Sequence, residues 1–268
     1  MQKFKVIRPS PILAPFVKHY WIMRIEGSEP VSERTVPIGS ANLVFHRGGL
    51  MNSLTAGSVQ PRSFLSGVNI SYTDLAGSTG VVDMITVVFQ PFGVAAFFSV
   101  PLDEFRDGQV SVDDISDHAL HRLEDEIMSR YDDGEAIRLI EGYLLSRLRV
   151  FKDHNLKRIT AAVRVVNSSP QANVEAMSGA ACLSPKQFGR IFSSHVGTGP
   201  KDFIRIVRFQ RALHTMQLNP GISMAQLAFD SNYYDQPHMI REFKRLSGYT
   251  PSEYTAACAP FSDYFSYK

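Results

Sequence analysis

Two segments of this chain share one pattern: FGRIFSSHVGTGPKDF at 188–203 and MIREFKRLSGYTPSEY at 239–254. With the first placed over the second, five pairs of like residues fall at a single offset of 51: Arg190 and Arg241, Phe192 and Phe243, Gly197 and Gly248, Pro200 and Pro251, and Phe203 and Tyr254. Five matches at one offset indicate a structural duplication, because chance similarity does not keep a constant spacing.

The residues around each copy predict a short helix, a turn and a second helix. In both copies a serine is followed three residues later by glutamine, which is the pattern of a capping box: Ser184 with Gln187, and Ser223 with Gln226. We predict short helices at 174–180 and from 223 to about 231, and a turn at 232–234 before Asp235 caps the next helix. The chain thus carries the helix-turn-helix pattern twice.

A single helix is predicted between the copies, from Asp202 to Gln217. Its ~16 residues would span roughly 24 Å, so two rigidly joined units could present helices to successive turns of one DNA groove, ~34 Å apart. Three arginines step by three along this helix and are predicted to form an ordinary solvated face: Arg205, Arg208 and Arg211.

Length and composition limit the class of protein. The chain has 268 residues, of which 44% are hydrophobic and 20% charged, values that suit about two globular domains. No apolar run reaches the ~18–20 residues that span a bilayer, and the first residues lack the apolar stretch of a signal peptide. Two cysteines form neither a disulfide framework nor a four-ligand zinc site. We predict a soluble cytoplasmic protein.

Charge is distributed unevenly along the chain. Residues 1–150 have a net charge of −4, whereas residues 151–268 have a net charge of +6. A basic carboxyl-terminal half suggests a polyanionic partner such as nucleic acid. Chance segregation of a few charges is the alternative at this point.

The first half reads as β structure followed by helices. Short β-branched and aromatic runs are separated by turn residues: TVPIGSANLVFHRGG at 35–49, RSFLSGV at 62–68 and VVDMITVVFQPFG at 81–93. Apolar residues then recur at helical spacing, in the stripes Leu120-Leu123-Ile127 and Ile137-Ile140-Leu144-Leu148. We predict an α+β protein: a β-rich barrel or sandwich at 1–112, a helical pair at 113–150, and an all-α domain at 151–268. The stripes predict a homodimer through 113–150.

Residues 157–257 resemble the DNA-binding domain of AraC/XylS-type bacterial transcription regulators. The matching positions are Met177-Ser178 and Leu227-Ala228 in the first helices, the caps Ser184 and Asp235, and the ending SGYTPSEY at 247–254. Residues 12–100 are similar to a sensor-type domain fused to such regulators. The resemblance implies a transcription regulator that binds double-stranded DNA and responds to a small-molecule effector. RNA polymerase is a further partner, and no cofactor is implied.

By position, the resemblance assigns a DNA-contacting surface to each second helix. In the first copy the matching residues are Lys186, Gly189 and Arg190; in the second copy they are Gln236, Pro237, Ile240 and Arg241. Arginine can bond a guanine edge with two donors, and glutamine can bond adenine in the same way. His238 and Lys244 could add phosphate contacts. Gln187 could either contact a base or serve the capping box.

Structural roles compete with these assignments. Arg190 and Arg241 recur at matched positions, so either could pair with an internal acid instead of DNA. Cys182 is predicted to face inward as an inert small apolar residue.

Catalysis in the first half has little support in the sequence. His118 and His121 lie on an acidic helix, while His19 and His46 are isolated in β runs, so no set of metal ligands emerges. The cluster His19-Tyr20-Trp21 could line a pocket or belong to the core. Two alternatives to an effector-responsive regulator stay open: a metal-binding β-barrel enzyme with an appended DNA-binding domain, and a regulator controlled by a partner protein docking on the 113–150 helices.

Overall fold

The computed structural model describes residues 2–27, 31–77, 80–130, 132–148, 154–258 and 260–266. The predicted α+β class is confirmed: strands occupy the first part of the chain and helices the remainder. The predicted domain boundary between residues 150 and 151 lies outside the described residues. None of the described helices combines the length and apolar character needed to cross a membrane.

The amino-terminal domain contains two antiparallel sheets. The described strands are β1 Gln2–Ile7, β2 Val17–Gly27, β3 Ser32–Thr35, β4 Asn42–His46, β5 Met51–Ser53, β6 Ser58–Val59, β7 Ser63–Ser66, β8 Thr73–Gly77, β9 Gly80–Phe89 and β10 Gln109–Ser111. One sheet has the order β1-β2-β9-β4-β7-β10, and the other has the order β3-β8-β5-β6. A Cβ placed on Gly77 of β8 would lie 3.0 Å from both Met51 Sδ and Val82 Cγ2, so the two sheets meet there.

Two helices cover one face of the six-stranded sheet: α1 His118–Met128 and α2 Asp133–Leu148. Residues in register across this face, such as Ile22, Ile85 and Phe45, form one core with the apolar stripes of both helices. Leu123 is 5% exposed and Leu144 is fully buried within the single chain. The prediction that these stripes leave an apolar face free for a dimer is therefore wrong, because the β domain covers them.

The rest of the described chain is helical. The helices are α3 His154–Ser168, α4 Val174–Ala180, α5 Pro185–Val196, α6 Pro200–Leu218, α7 Met224–Asp230, α8 Gln236–Ser247 and α9 Pro251–Ala257. Helices α4 and α5 form the first predicted helix-turn-helix, and α7 and α8 form the second. The connecting helix α6 has 19 residues and is therefore ~28 Å long.

Backbone geometry repeats between the two copies. Gly197 ends α5 with φ +88°, and Gly248 ends α8 with φ +78°, the left-handed conformation that glycine adopts without strain. The turn before each second helix also has one positive φ, at Cys182 (52°) and Asn232 (59°). The duplication seen in the sequence is therefore a duplication of structure.

Several local expectations are corrected. Only half of each predicted capping box forms: Ser184 and Ser223 accept bonds from the backbone nitrogens of Gln187 and Gln226, but the Gln226 side chain bonds Asp230 instead. A complete capping box occurs at Thr250 and Glu253, where it was not predicted. Cys182 is exposed and does not face inward.

Candidate nucleic-acid interface

Helix α5 is amphipathic, with a deeply buried aromatic side. Phe188 and Phe192 are fully buried and their rings are 5.2 Å apart, which fixes the helix in the domain. The opposite side exposes Lys186, Gln187 and Arg190 to solvent. The structure thus brings these three predicted residues together on one free helix face.

Helix α8 repeats this arrangement. Met239 and Phe243 are fully buried, and the Phe243 ring packs 4.9 Å from that of Phe209 on α6. The exposed side carries Gln236, Arg241 and Lys244, with Arg245 beside them. Arg245 was not among the predicted contact residues, although it is exposed and positively charged like Lys244.

The competing structural role of the two matched arginines can be examined directly. Among the described residues, neither Arg190 nor Arg241 forms an ion pair, and both are exposed. The carboxylate nearest in sequence to Arg241, Glu242, is bonded to Arg205 at 2.7 and 2.8 Å. The guanidinium groups of Arg190 and Arg241 therefore remain available to an external partner.

The three arginines of α6 have structural roles, so the predicted solvated face is wrong. Arg205 pairs with Glu242 of α8, and this bond holds the pKa of the Glu242 carboxyl below its usual range. Arg208 lies over the ring of Tyr233 at 5.4 Å. Arg211 donates to the carbonyl oxygen of Val166 on α3 at 3.0 Å. These contacts fasten the connecting helix to the second unit and to α3.

His238, in the first turn of α8, is half-buried against the turn that precedes the helix. Its ring packs edge-on against Tyr233 with centroids 5.6 Å apart, and its Nδ1 accepts the backbone N–H of Tyr234 at 3.4 Å. The backbone N–H of His238 in turn donates to the capping carboxylate of Asp235 at 2.7 Å. The Tyr234 side chain is 92% exposed beside this turn.

The amino-terminal domain contacts the carboxyl-terminal end of each second helix. A Cβ on Gly197, after α5, would lie 3.1 Å from the carbonyl oxygen of Leu102. A Cβ on Gly248, after α8, would lie 2.6 Å from the Arg34 guanidinium and 3.0 Å from the Tyr72 ring. Both matched glycines therefore permit close approach of the same domain, as well as a positive φ.

Gln210, fully buried on α6, connects three segments of the chain. Its Nε2 donates to the carbonyl oxygen of Pro37 at 2.7 Å, and its Oε1 accepts from Ser262 Oγ at 2.9 Å and from the Tyr264 backbone at 3.3 Å. Tyr264 packs against Phe203, and Lys18 lies over its ring at 4.4 Å. This junction was not predicted from the sequence, because an isolated glutamine in a helix gives no signal of burial.

The histidines of the first half do not assemble a catalytic centre among the described residues. His121 Nε2 lies 3.0 Å from the Val112 carbonyl oxygen and 2.9 Å from that of Ile115, which is a structural contact. The described part of the chain contains no group of three or more His, Cys, Asp or Glu side chains that could hold a metal ion.

Comparison with known proteins gives matches for both parts of the chain. Residues 5–111 match the model of a domain of unknown function (DUF6597), and residues 177–257 match the model of a helix-turn-helix domain. An uncharacterized HTH-type transcriptional regulator of Haemophilus influenzae is 29% identical over 100 residues, which cover 37% of this chain and 33% of that protein. The regulator GlxA of Rhizobium meliloti is 34% identical over 76 residues, covering 28% of this chain and 23% of GlxA.

The matched segments span about a third or less of these curated relatives. Among solved structures, ToxT from Vibrio cholerae aligns over 88% of this chain and 96% of its own, with 12% identity and a TM-score of 0.48.

Fold and exposed faces together define a class: a two-domain protein with a β-rich amino-terminal domain and a carboxyl-terminal double helix-turn-helix domain. The matches agree with this division, since residues 177–257 match a helix-turn-helix domain and residues 5–111 match DUF6597. The resemblance predicted for the carboxyl-terminal region is confirmed.

Proposed function

We propose that this chain is a bacterial transcription regulator that binds specific double-stranded DNA through α5 and α8. The observation that carries the proposal is the pair of duplicated helices, each anchored by buried aromatic and apolar side chains and each presenting unpaired cationic side chains to solvent. Arg190 and Arg241 would bond guanine edges, and Gln236 would bond adenine. Gln187 and Ile240 would contribute further contacts in the groove.

Lysines at the rim of these faces would hold the phosphate backbone. Lys186 and Lys244 are exposed, and His238 lies half-buried in the first turn of α8. Such contacts position the protein on the duplex without selecting sequence. The net charge of +6 in residues 151–268 supplies the electrostatic attraction.

The amino-terminal domain would regulate DNA binding through its contacts with the DNA-binding domain, and no catalytic step would be involved. A small-molecule effector bound in the first domain would change the fraction of chains with both recognition helices correctly placed. The contacts at Gly197, Gly248 and Gln210 provide the physical connection. Action on the chromosome places the protein in the cytoplasm, with RNA polymerase as a downstream partner.

A homodimer remains a prediction, and it requires a surface other than the buried stripes of α1 and α2. The same burial removes the apolar face that a partner protein would have used on these helices. The effector-responsive regulator is therefore the better-supported form of the proposal.

The test is selection of DNA fragments by the purified full-length chain, followed by titration of the selected site at several salt concentrations. We expect a site with two half-elements about 10 base pairs apart, and a log K that falls with log salt by ~0.9 per phosphate contacted. A chain that enriches no sequence, or whose binding ignores salt, would contradict the proposal.

A further inference from the structure

One face of the six-stranded sheet turns away from α1 and α2 and carries polar groups that the protein does not satisfy. Four side chains have buried polar atoms without a hydrogen-bond partner among the described residues: Trp21 Nε1, Asn42 Oδ1, both ring nitrogens of His46, and Gln60 Oε1. Buried polar atoms in native proteins are bonded in the large majority of cases, since leaving one unsatisfied is costly. A cluster of them therefore points to a missing external partner.

Strand register places these groups on one surface. His46 is paired with Met84, which is paired with Met23 on the next strand, and Trp21 lies two residues from Met23 on the same face. Asn42 lies four residues before His46 on β4 and so shares this face, at roughly 13 Å. Gln60 lies beside His46 and favours its protonated form, without a hydrogen bond of normal geometry.

The surroundings of these groups are mainly aromatic and thioether. The Trp21 ring packs edge-on against Phe4, whose side chain is 52% exposed, and Met23 and Met84 are half-buried on the same face. The register row Trp21-Thr86-Val44-Phe64 contains no acidic, lysine or arginine side chain. The row Met23-Met84-His46 continues to Arg62, an exposed residue whose carbonyl oxygen accepts the backbone N–H of His46 at 2.8 Å.

Burial favours the neutral form of His46. The side chain is fully buried, and loss of hydration lowers the pKa of its imidazole, an effect that Gln60 opposes only in part. A neutral imidazole offers one donor and one acceptor. Trp21 adds a donor, and the amide oxygens of Asn42 and Gln60 add acceptors. The buried groups therefore offer both hydrogen-bonding roles, and the cation in their register rows, Arg62, is exposed to solvent.

We propose that this surface, defined by Trp21, Asn42, His46 and Gln60 and here called the sensor face, binds an uncharged planar ring compound that carries both hydrogen-bond donors and acceptors. The inference rests on the proposed function, because it supplies the effector site of the regulator. The ring of the ligand packs against Trp21, Met23 and Met84, while its polar edge satisfies the buried groups. Charged compounds are disfavoured, because the buried groups would desolvate their charge, and Arg62 is exposed to solvent, where an ion pair stabilises little.

The sensor face adjoins a connection to the DNA-binding domain. Asn42 lies five residues after Pro37, whose carbonyl oxygen accepts the bond from Gln210 of α6. Gly39, between them, has φ +72°, and a Cβ there would lie 3.4 Å from Ile206 of α6. Movement of Asn42 on binding a ligand is thereby coupled through a short segment to the connecting helix.

The experiment uses the fact that Trp21 is the single tryptophan of the chain. Its indole N–H gives one side-chain resonance in a proton–nitrogen correlation spectrum of the full-length protein. The probes are 2-quinolinone and benzimidazole, which are planar and uncharged, with quinoline-2-carboxylate as the charged counterpart. We expect at least one neutral probe to displace the indole resonance saturably, and the carboxylate to bind at least 10-fold more weakly or not at all.

Variants separate binding from folding. His46→Leu should weaken binding of the neutral probe at least 10-fold. It should also raise the melting temperature, because it removes an unsatisfied buried polar group. Asn42→Ala tests the same face if His46→Leu does not fold, and should also weaken binding. His118→Ala, on the exposed side of α1, is the matched control and should bind as the wild type does.

Three results overturn the inference: neither neutral probe shifts the resonance, the carboxylate binds as tightly as the neutral probes, or the folded His46→Leu and Asn42→Ala variants bind like the wild type. DNA binding is measured on the same preparation without a probe. Retained sequence-specific DNA binding with any of these results overturns the sensor face alone, whereas loss of specific DNA binding overturns the proposed function.

Discussion

The guanidinium group of Arg34, in the amino-terminal domain, lies 4.5 Å from the ring centroid of Tyr249, which follows α8 in the DNA-binding domain. It also lies 4.4 Å from the ring of Tyr72 and forms a two-point ion pair with Asp74 at 2.6 and 2.8 Å. A further donor of Arg34 reaches the carbonyl oxygen of Ser247, the last residue of α8. One arginine therefore ties the first domain to the end of a recognition helix.

Tyr249→Leu should weaken this connection without disturbing the pair of Arg34 with Asp74. We expect the free energy of unfolding to fall by about 0.5–1 kcal/mol, the size of a cation–π contact near a surface. The check is a double-mutant cycle with Arg34→Ala in denaturant. Tyr234→Leu is the control, because Tyr234 is 92% exposed and should not change stability. Additive effects of Arg34→Ala and Tyr249→Leu would contradict a direct contact.

The two matched arginines should select separate base pairs. Arg241→Ala should relax preference at one or two positions at a cost of about 1–3 kcal/mol, and Arg190→Ala should do the same about 10 base pairs away. Lys244→Ala should weaken binding to all DNA sequences alike. Parallel selection of DNA by each variant provides the measurement.

Arg138→Ala, on an exposed part of α2 with 73% of its side chain accessible, serves as the control for loss of positive charge. It should leave both affinity and sequence preference unchanged. If Arg241→Ala lowers the melting temperature and leaves preference intact, that arginine has a structural role.

Gln210→Leu should destabilise the protein strongly. The substitution keeps the volume of the side chain but leaves the Pro37 carbonyl, Ser262 hydroxyl and Tyr264 N–H without their partner. At about 1–3 kcal/mol for each unsatisfied buried group, we expect a loss of about 3 kcal/mol or more in chemical unfolding. Gln226→Leu, on the exposed side of α7, should change stability by less than about 0.5 kcal/mol. Equal stability of the two variants would show that the junction contributes little.

Asp263 should make stability depend on pH. Burial raises the pKa of its carboxyl from 3.8 to about 6, against the opposing effect of Lys18. The folded state therefore holds this proton more tightly than the unfolded state, so the contribution to stability is present below pH 3.8 and is lost as pH rises through about 6. The free energy of unfolding of the wild type should therefore fall between pH 4 and 7. In Asp263→Asn this fall should be smaller by about 1–3 kcal/mol, as measured by unfolding at each pH. Identical pH profiles for variant and wild type would contradict the assignment.

Local patterns were sufficient for the helical domain. The fixed offset of 51 residues, the serine and aspartate caps and the two glycines predicted two helix-turn-helix units, and each of these residues acts where it was expected to. Such features depend on hydrogen bonds within three or four residues, which a sequence displays directly. The strands β4, β7 and β9 were likewise evident from short β-branched runs bounded by turn residues.

Only the tertiary structure shows which part of the protein each patterned helix side contacts. The stripes of α1 and α2 predicted a dimer, and only the position of the six-stranded sheet shows that Leu123 and Leu144 are buried within one chain. Arg205 and Arg241 are both arginines on helices, yet one is bonded to Glu242 and the other is free. Amphipathic spacing identifies the apolar side of a helix but not its partner, because that depends on contacts between residues far apart in the sequence. The buried junction at Gln210 and the unsatisfied groups around His46 exist only once distant strands and helices are brought together.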